Sequence, residues 1–390
     1  MPICILCTSV RNSFEKPEHI LLNALGGKKT VYGIICDDCN NVTGSTIDRH
    51  LTHSIESIRA HAGFKAGDGD APPKLRNLGG RAVKYDLVDG IPRFRPQQAM
   101  ERELNDDGSH TISIQARDLP HLLQLVEQAI TRWKLTDEIA EKFRAEFLER
   151  SVVHHHPTPT VEFNLSLGDR MSLRSMAKSM LVLLASQIGN DSLLHRSFDG
   201  VRHFIMNDAD TIDVSINSNR LPSFTEAHGP TPSVIWVGQD LDGAVFGYFN
   251  LYGVVGWTFK LSDHLPSKIR PIMLINDPRQ RENRTTDPEA AELLPVERVK
   301  ESAFSEQDIA RGITTLHSQM HEYSRERLIE KSLSDELSKT NFDETGYVDP
   351  TETQRVLEGL AYRVVMGLFR VPWSEPVQGS VKDLRDREFD

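Results

Sequence analysis

Residues 4–48 read CILCTSVRNSFEKPEHILLNALGGKKTVYGIICDDCNNVTGSTID, and all four cysteines of the 390-residue chain fall within them. They form two CxxC pairs, Cys4 with Cys7 and Cys36 with Cys39. Four thiolates satisfy a tetrahedral Zn²⁺ without help from solvent, so the pairs read as a closed, structural zinc site. A redox reading needs a βαβ context, which the neighbourhood of Cys4 does not offer. The gap from Ser9 to Ile35 is longer than in an ordinary zinc ribbon, and Glu18-His19 sits inside it.

The residues of the gap suit hydrolysis of a phosphodiester, which needs a base for the attacking water and a cation to neutralise charge on the phosphate and the departing oxygen. His19 suits the first task, because an imidazole of ordinary pKa is largely neutral at cellular pH. Glu18 and Asn40 suit the second, since Mg²⁺ and Mn²⁺ prefer a few oxygen ligands and keep room for phosphate and water. Alternation along a strand would point Glu18 and His19 to opposite faces, so one site takes both only at a twist or a strand end.

The order CxxC, Glu18-His19-Ile20, Gly26-Gly27, CxxC-Asn40, Gly44 and Ile47-Asp48 resembles the HNH endonucleases, in the subgroup whose ββα-metal core is braced by a two-CxxC zinc site. The resemblance covers the N-terminal ~60 residues and no more. It implies a β-hairpin with Glu18-His19 on its first strand and a helix beginning near Cys39-Asn40. Hairpin and helix would clamp one catalytic cation, Mg²⁺ or Mn²⁺, with Glu18, His19 and Asn40 as the catalytic residues. Two departures are visible. Leu21-Leu22 stand where such sequences often have a proline, which implies a differently shaped turn. No asparagine occurs in Lys28-Lys29-Thr30-Val31-Tyr32 to steady the base, a task left to the Thr30 hydroxyl. Asp48, eight residues after Asn40 on roughly the same helical face, either supports the site or forms a surface salt bridge.

Composition bounds the rest. A hydrophobic content of 38%, with 7% aromatic residues, is ordinary for a globular chain, and the length allows two or three domains. No run approaches a membrane span, and Met1-Pro2-Ile3-Cys4 enters the zinc site without a charged leader, so the expectation is a cytoplasmic protein with no membrane partner. A net charge of −11 argues against indiscriminate coating of nucleic acid. Basic residues nevertheless outnumber acidic ones between 61 and 100, where Arg76, Arg81, Arg93 and Arg95 join Lys65, Lys74 and Lys84. With Lys28 and Lys29 the four arginines are candidates for nucleic-acid contact. The alternative is a solvated strand face.

Beyond the first module, Ala66–Pro73 is a Gly/Pro/Asp cluster and reads as a linker. Alternation around Asp89-Gly90 predicts a hairpin, residues 110–115 another strand, and 119–148 two helices. His154-His155-His156 read as a polar loop, because consecutive side chains diverge too far to share one ion. A strand over 160–167, helices over 172–188 and 192–205, and four strands between 211 and 259 follow. Residues 277–295 read as a second linker. A stripe of Ile309, Ile313, Leu316, Met320 and Tyr323 predicts a helix with about two heptads, fewer than a coiled coil needs. A last helix spans 353–369, and no P-loop, Rossmann glycine pattern or Ser-His-Asp signature accompanies these elements.

The fold expected is α+β: a small zinc-braced ββα-metal module over 1–65, a larger α+β domain with a mostly antiparallel sheet over 75–276, a helical region over 296–372 and a loose tail over 373–390. The function expected is metal-dependent endonuclease action on nucleic acid, DNA by preference, with structural zinc and catalytic Mg²⁺ or Mn²⁺. The larger domain would serve targeting or regulation, by analogy with bacterial restriction and antiphage effectors. A homodimer through the C-terminal helices and a regulatory ligand or protein partner belong to the same expectation. The competing class is a non-catalytic zinc module in a nucleic-acid-binding or scaffold protein.

Overall fold

The computed structural model describes residues 2–10, 13–78, 84–88, 91–95, 99–106, 110–116, 119–149, 151, 167–208, 210–218, 232–279, 284–285, 294–301, 303–340, 342, 348 and 350–368. The predicted strand over 160–167 and the three histidines at 154–156 lie essentially outside these residues, as does the tail. In chain order, β1 (Glu18–His19) and β2 (Thr30–Val31) precede α1 (Asp37–Thr43), α2 (Arg49–Ser54) and α3 (Glu56–Ala62). Next come β3 (Leu75–Leu78), β4 (Lys84–Val88), β5 (Ile91–Arg95), β6 (Met100–Leu104), β7 (His110–Ile114), α4 (Leu119–Trp133) and α5 (Asp137–Glu149). The second half holds α6 (Arg170–Ile188), α7 (Asn190–Leu193), α8 (Asp199–Met206) and strands β8 (Val214–Asn217), β9 (Ser233–Gln239), β10 (Val245–Leu251), β11 (Val255–Ser262), β12 (Ile272–Asn276) and β13 (Arg284–Thr285). It ends with α9 (Val296–Lys300), α10 (Glu306–Leu337) and α11 (Pro350–Leu368).

The mixed helix and sheet content, with a small N-terminal module and an antiparallel sheet followed by helices, is the α+β arrangement expected from the sequence. The chain groups into two compact units, Met1–Pro73 with Phe163–Glu322 and Lys74–Glu162 with Tyr323–Asp390. Each unit therefore takes two separate segments, where the sequence reading expects consecutive domains. The predicted helix over 192–205 is broken into α7, a 3₁₀ turn at Arg196–Phe198, and α8. His195 causes the break: its backbone is extended, and its ring accepts from Ser197 N. The predicted linker over 277–295 contains β13, which pairs with β12. Among the described residues, no helix is long and apolar enough to cross a membrane.

The first unit is built around α6. Asp169 caps it, accepting from Met171 N and Ser172 N, and every residue from Met176 to Ala185 is buried. A helix covered all round needs partners on more than one side. One is the antiparallel sheet, in the order β13-β12-β9-β10-β11-β8. Gly247 of β10 lets α6 approach closely, since a Cβ there would stand 2.3 Å from Met180 Sδ. The sheet also buries Val234, Trp236, Tyr248, Met273 and Ile275 with Leu294 and with Val299 of α9. The N-terminal module packs on α6 through β1 and α2 and through the turn that joins α1 to α2.

That joining turn, Gly44–Asp48, is π-helical. Cys39, Thr43, Ile47, Leu51 and Ile55 are all buried at intervals of four residues. An α-helix would carry such a series about 40° further round at each step, and the wider π turn cancels part of that drift. Thr43 and Thr46 hydroxyls donate back to the Cys39 and Val42 carbonyls across the widened turn.

In the second unit, β3, β4 and β5 form one antiparallel sheet and β6 pairs with β7. Its α4 and α5 are joined by a two-pronged bond from Arg144 to Glu127. Leu316 and Met320 of the predicted stripe are buried, whereas Ile313 is half exposed.

Candidate active site

Cys4 and Cys7 lie on a tight turn in which Thr8 N donates to Cys4 O and Thr8 takes a positive φ of 54°. Cys36 precedes the first turn of α1 and Cys39 lies within it. The partial positive charge of a helix N-terminus favours thiolates there. All four Sγ atoms fall within 4.8 Å of one another, and Cys7 Sγ stands 3.8 Å from Cys36 Sγ. Tetrahedral Zn–S bonds require sulfurs roughly 3.8 Å apart, so the four cysteines are arranged for zinc. A hydrogen bond from Cys39 holds the Cys4 thiol well down, to about 4, the charge state a metal would select.

The strands β1 and β2 form an antiparallel ribbon, with Glu18 opposite Val31 and His19 opposite Thr30. Between them the chain tucks under itself. Gly26 has φ +88°, and a Cβ on Gly27 would stand 1.8 Å from Leu21 O, so the Gly-Gly pair is required by the turn. Leu21 and Leu22, in the place of the family's proline, fill the core. The ribbon abuts α1, because Asn40 Nδ2 donates to Pro17 O at 3.4 Å. Asn40, in the first turn of α1, thereby lies beside the residue that precedes Glu18 and His19 on β1.

The two neighbours on β1 have different surroundings. His19 is half-buried, and burial lowers its pKa; the Asp68 charge opposes this and Lys178 reinforces it. Burial thus favours the neutral ring. Thr30 lies on the same face, yet no hydrogen bond joins the two side chains among the described residues. The acidic group whose field reaches His19 is Asp68, held by Asn23, whose Nδ2 donates to Asp68 Oδ2 at 2.7 Å. Asp68 lies in the stretch read from sequence as a linker. Its signal is Gly67: a Cβ there would stand 1.9 Å from Gly27 O, so the stretch lies against the Gly-Gly turn.

Glu18 is only 4% exposed, and its Oε1 is paired with Lys178 Nζ at 2.9 Å. Lys178, on α6, is 1% exposed and reaches Asp48 Oδ2 and, at 3.2 Å, Thr43 Oγ1 as well. Its three ammonium protons therefore have three acceptors. Ser175 Oγ donates to the other Asp48 oxygen at 2.6 Å. Burial pulls the Lys178 pKa down, but the charges of Asp48 and Glu18 more than reverse this. Burial raises the Glu18 pKa and outweighs the opposing charge and hydrogen bond of Lys178, with a smaller contribution in the same direction from Asp48. Asp48 is thus a buried partner of Lys178, and the surface salt bridge offered as an alternative is excluded.

As donors, Glu18 and Asn40 have the oxygen chemistry of a hard cation. A cation at Glu18 would, however, share its carboxylate with the Lys178 ammonium. Among the described residues, the four cysteines are the one cluster of His, Cys, Asp and Glu close enough to hold a metal. Of the candidate nucleic-acid contacts, Lys28, Arg76 and Arg95 are exposed and Lys29 is half-buried. Arg95 approaches Asp86 at 3.6 Å, and Arg81 lies outside the described residues.

Residues 4–56 match the family model described as HNH endonuclease. No curated protein and no solved structure matches the chain.

Proposed function

We propose that the chain is a metal-dependent endonuclease that hydrolyses phosphodiester bonds in DNA. The observation that supports this reading is the ribbon of β1 and β2 set against the N-terminus of α1, where Asn40 Nδ2 donates to Pro17 O, beside a four-cysteine cluster. His19, kept neutral by burial, takes the proton of the attacking water. Asn40 and Glu18 hold Mg²⁺ or Mn²⁺, which when bound supplies charge neutralisation at the phosphate and the leaving oxygen. The cysteines hold Zn²⁺ and brace the ribbon against the helix. The Asp68 charge acts on the imidazole, and Thr30 lies opposite it on β2.

The rest of the chain serves targeting or restraint of the nuclease, by analogy with bacterial restriction and antiphage effectors acting in the cytoplasm. The basic run over 61–100 contacts backbone phosphates. Replacing Arg76, Arg81, Arg93 and Arg95 with Gln should weaken DNA binding and flatten the dependence of log affinity on log salt. An unchanged affinity and slope in a filter-binding titration would return these residues to the solvated surface.

One observation favours a second reading. The Glu18 carboxylate is committed to Lys178, as it would be in a zinc module that only binds nucleic acid or serves as a scaffold. Metals separate the two. Mild chelation should abolish cleavage while one zinc per chain and the circular dichroism spectrum persist, and added Mg²⁺ or Mn²⁺ should restore it. Cleavage that continues without the added cation would exclude the mechanism. A wild-type chain that binds DNA but never cuts it, with either cation, supports the second reading.

A further inference from the structure

Along α2, in the first unit, is a cleft of about 510 Å³ whose lining includes Thr46, Arg49, His50, His53, Glu56 and Arg59. The first four recur at i, i+3, i+4 and i+7, so one continuous helical face supplies them. Asp48 points elsewhere, into the buried pair with Lys178.

The charges of this cleft do not balance. Arg59 lines it while being only 7% exposed, and its buried Nε has no hydrogen-bond partner. Among the described residues, no carboxylate lies within ion-pair distance of Arg59 or of the exposed Arg49. The nearby carboxylates, Glu56 of the lining among them, contact histidines and not the arginines. Asp169 Oδ1 pairs with His50 Nε2 at 2.9 Å and caps α6, and Glu56 Oε2 pairs with His53 Nδ1 at 2.9 Å. The buried Tyr252 hydroxyl, which feels the Arg59 charge, also has no hydrogen-bond partner. A buried guanidinium Nε–H without an acceptor is a desolvated donor, and an anion from outside the chain that reaches the guanidinium would offset that cost.

We propose that this cleft is a phosphate-binding subsite, separate from Glu18, His19 and Asn40, in which Arg59 and Arg49 engage one phosphate group. The planar guanidinium fork matches phosphate oxygens, and Thr52 adds a hydroxyl to the same lining. The volume exceeds what one phosphate fills, leaving room for the group to which it is attached. That phosphate belongs either to a nucleic-acid backbone or to a free phosphate compound. The proposal stands whether or not the chain cuts DNA.

The test uses the full chain, inorganic phosphate as probe, and the variants Arg59→Met and Arg49→Gln. Phosphate should raise the unfolding temperature of the wild type, since a ligand that binds only the folded state stabilises it. Each variant should lose about tenfold or more in phosphate affinity, and the rise should vanish in Arg59→Met. In phosphate-free buffer, Arg59→Met should unfold at the wild-type temperature or above, because a buried donor without an acceptor has been removed. A lower temperature there, with the phosphate response intact, overturns the proposal. So does a wild type indifferent to phosphate, or an Arg49→Gln chain of undiminished affinity. Duplex DNA separates the sources: a backbone phosphate predicts a log-salt slope shallower by about one in Arg49→Gln, and a free phosphate predicts no change.

Discussion

His19→Ala is expected to lower the single-turnover rate of DNA cleavage by about 10² to 10⁴-fold, the range for loss of a positioned general base. Zinc content and thermal stability should barely move. The His19 side chain makes no hydrogen bond among the described residues, so its truncation orphans no buried partner, and the four cysteines lie close enough together to hold the module without it. The imidazole is also matched to its task, because burial favours the neutral ring that can accept a proton. Rate and metal content must be measured on the same preparation. A variant that cuts at the wild-type rate removes His19 from catalysis, and one that loses zinc or unfolds makes it a structural residue.

Lys178→Met should be the most destabilising single change in the first unit, at about 3–5 kcal/mol, the cost of removing one partner from a buried ion pair. Without the ammonium, the Glu18 and Asp48 carboxylates share an enclosed site with no counter-charge. Urea unfolding should show a lower midpoint with an unchanged slope. The triple variant with Glu18→Gln and Asp48→Asn should recover most of the loss, since neutral amides need no counter-ion and keep nearly the same shape. Wild-type stability in Lys178→Met would show that the ammonium is not what neutralises the two carboxylates.

The two predictions also mark how far the sequence could be read. Metal geometry is local, because CxxC spacing brings thiols together and is legible in residues 4–48; the hairpin of β1 and β2 follows from the family resemblance, and spacing alone does not specify it. Residues 172–188 were legible as a helix from composition. That its lysine would neutralise a glutamate 160 positions earlier was not, because neither periodicity nor spacing specifies which distant element will cover a charge. The signal was one lysine in an otherwise apolar turn, Met176-Ala177-Lys178-Ser179-Met180, which a buried helix tolerates only with a partner. Asp68 was hidden for the opposite reason. Its Gly/Asp surroundings carry the composition of a loop, and composition does not tell a free linker from one laid against a catalytic turn.

The placement of α6 beneath the N-terminal module has a consequence in time. Residues 4–56 leave the ribosome before α6, and the zinc cluster needs nothing beyond Cys39. The counter-charge for Glu18 and the surface that covers Ile47 and Leu51 arrive with α6, more than a hundred residues later. At roughly 5–20 residues per second this is a delay of about 6–30 seconds. The metal-binding half of the module can therefore form while its floor is still missing. A segment cut at the boundary of the family match reproduces that interval, with a buried carboxylate and an apolar helix face left to solvent.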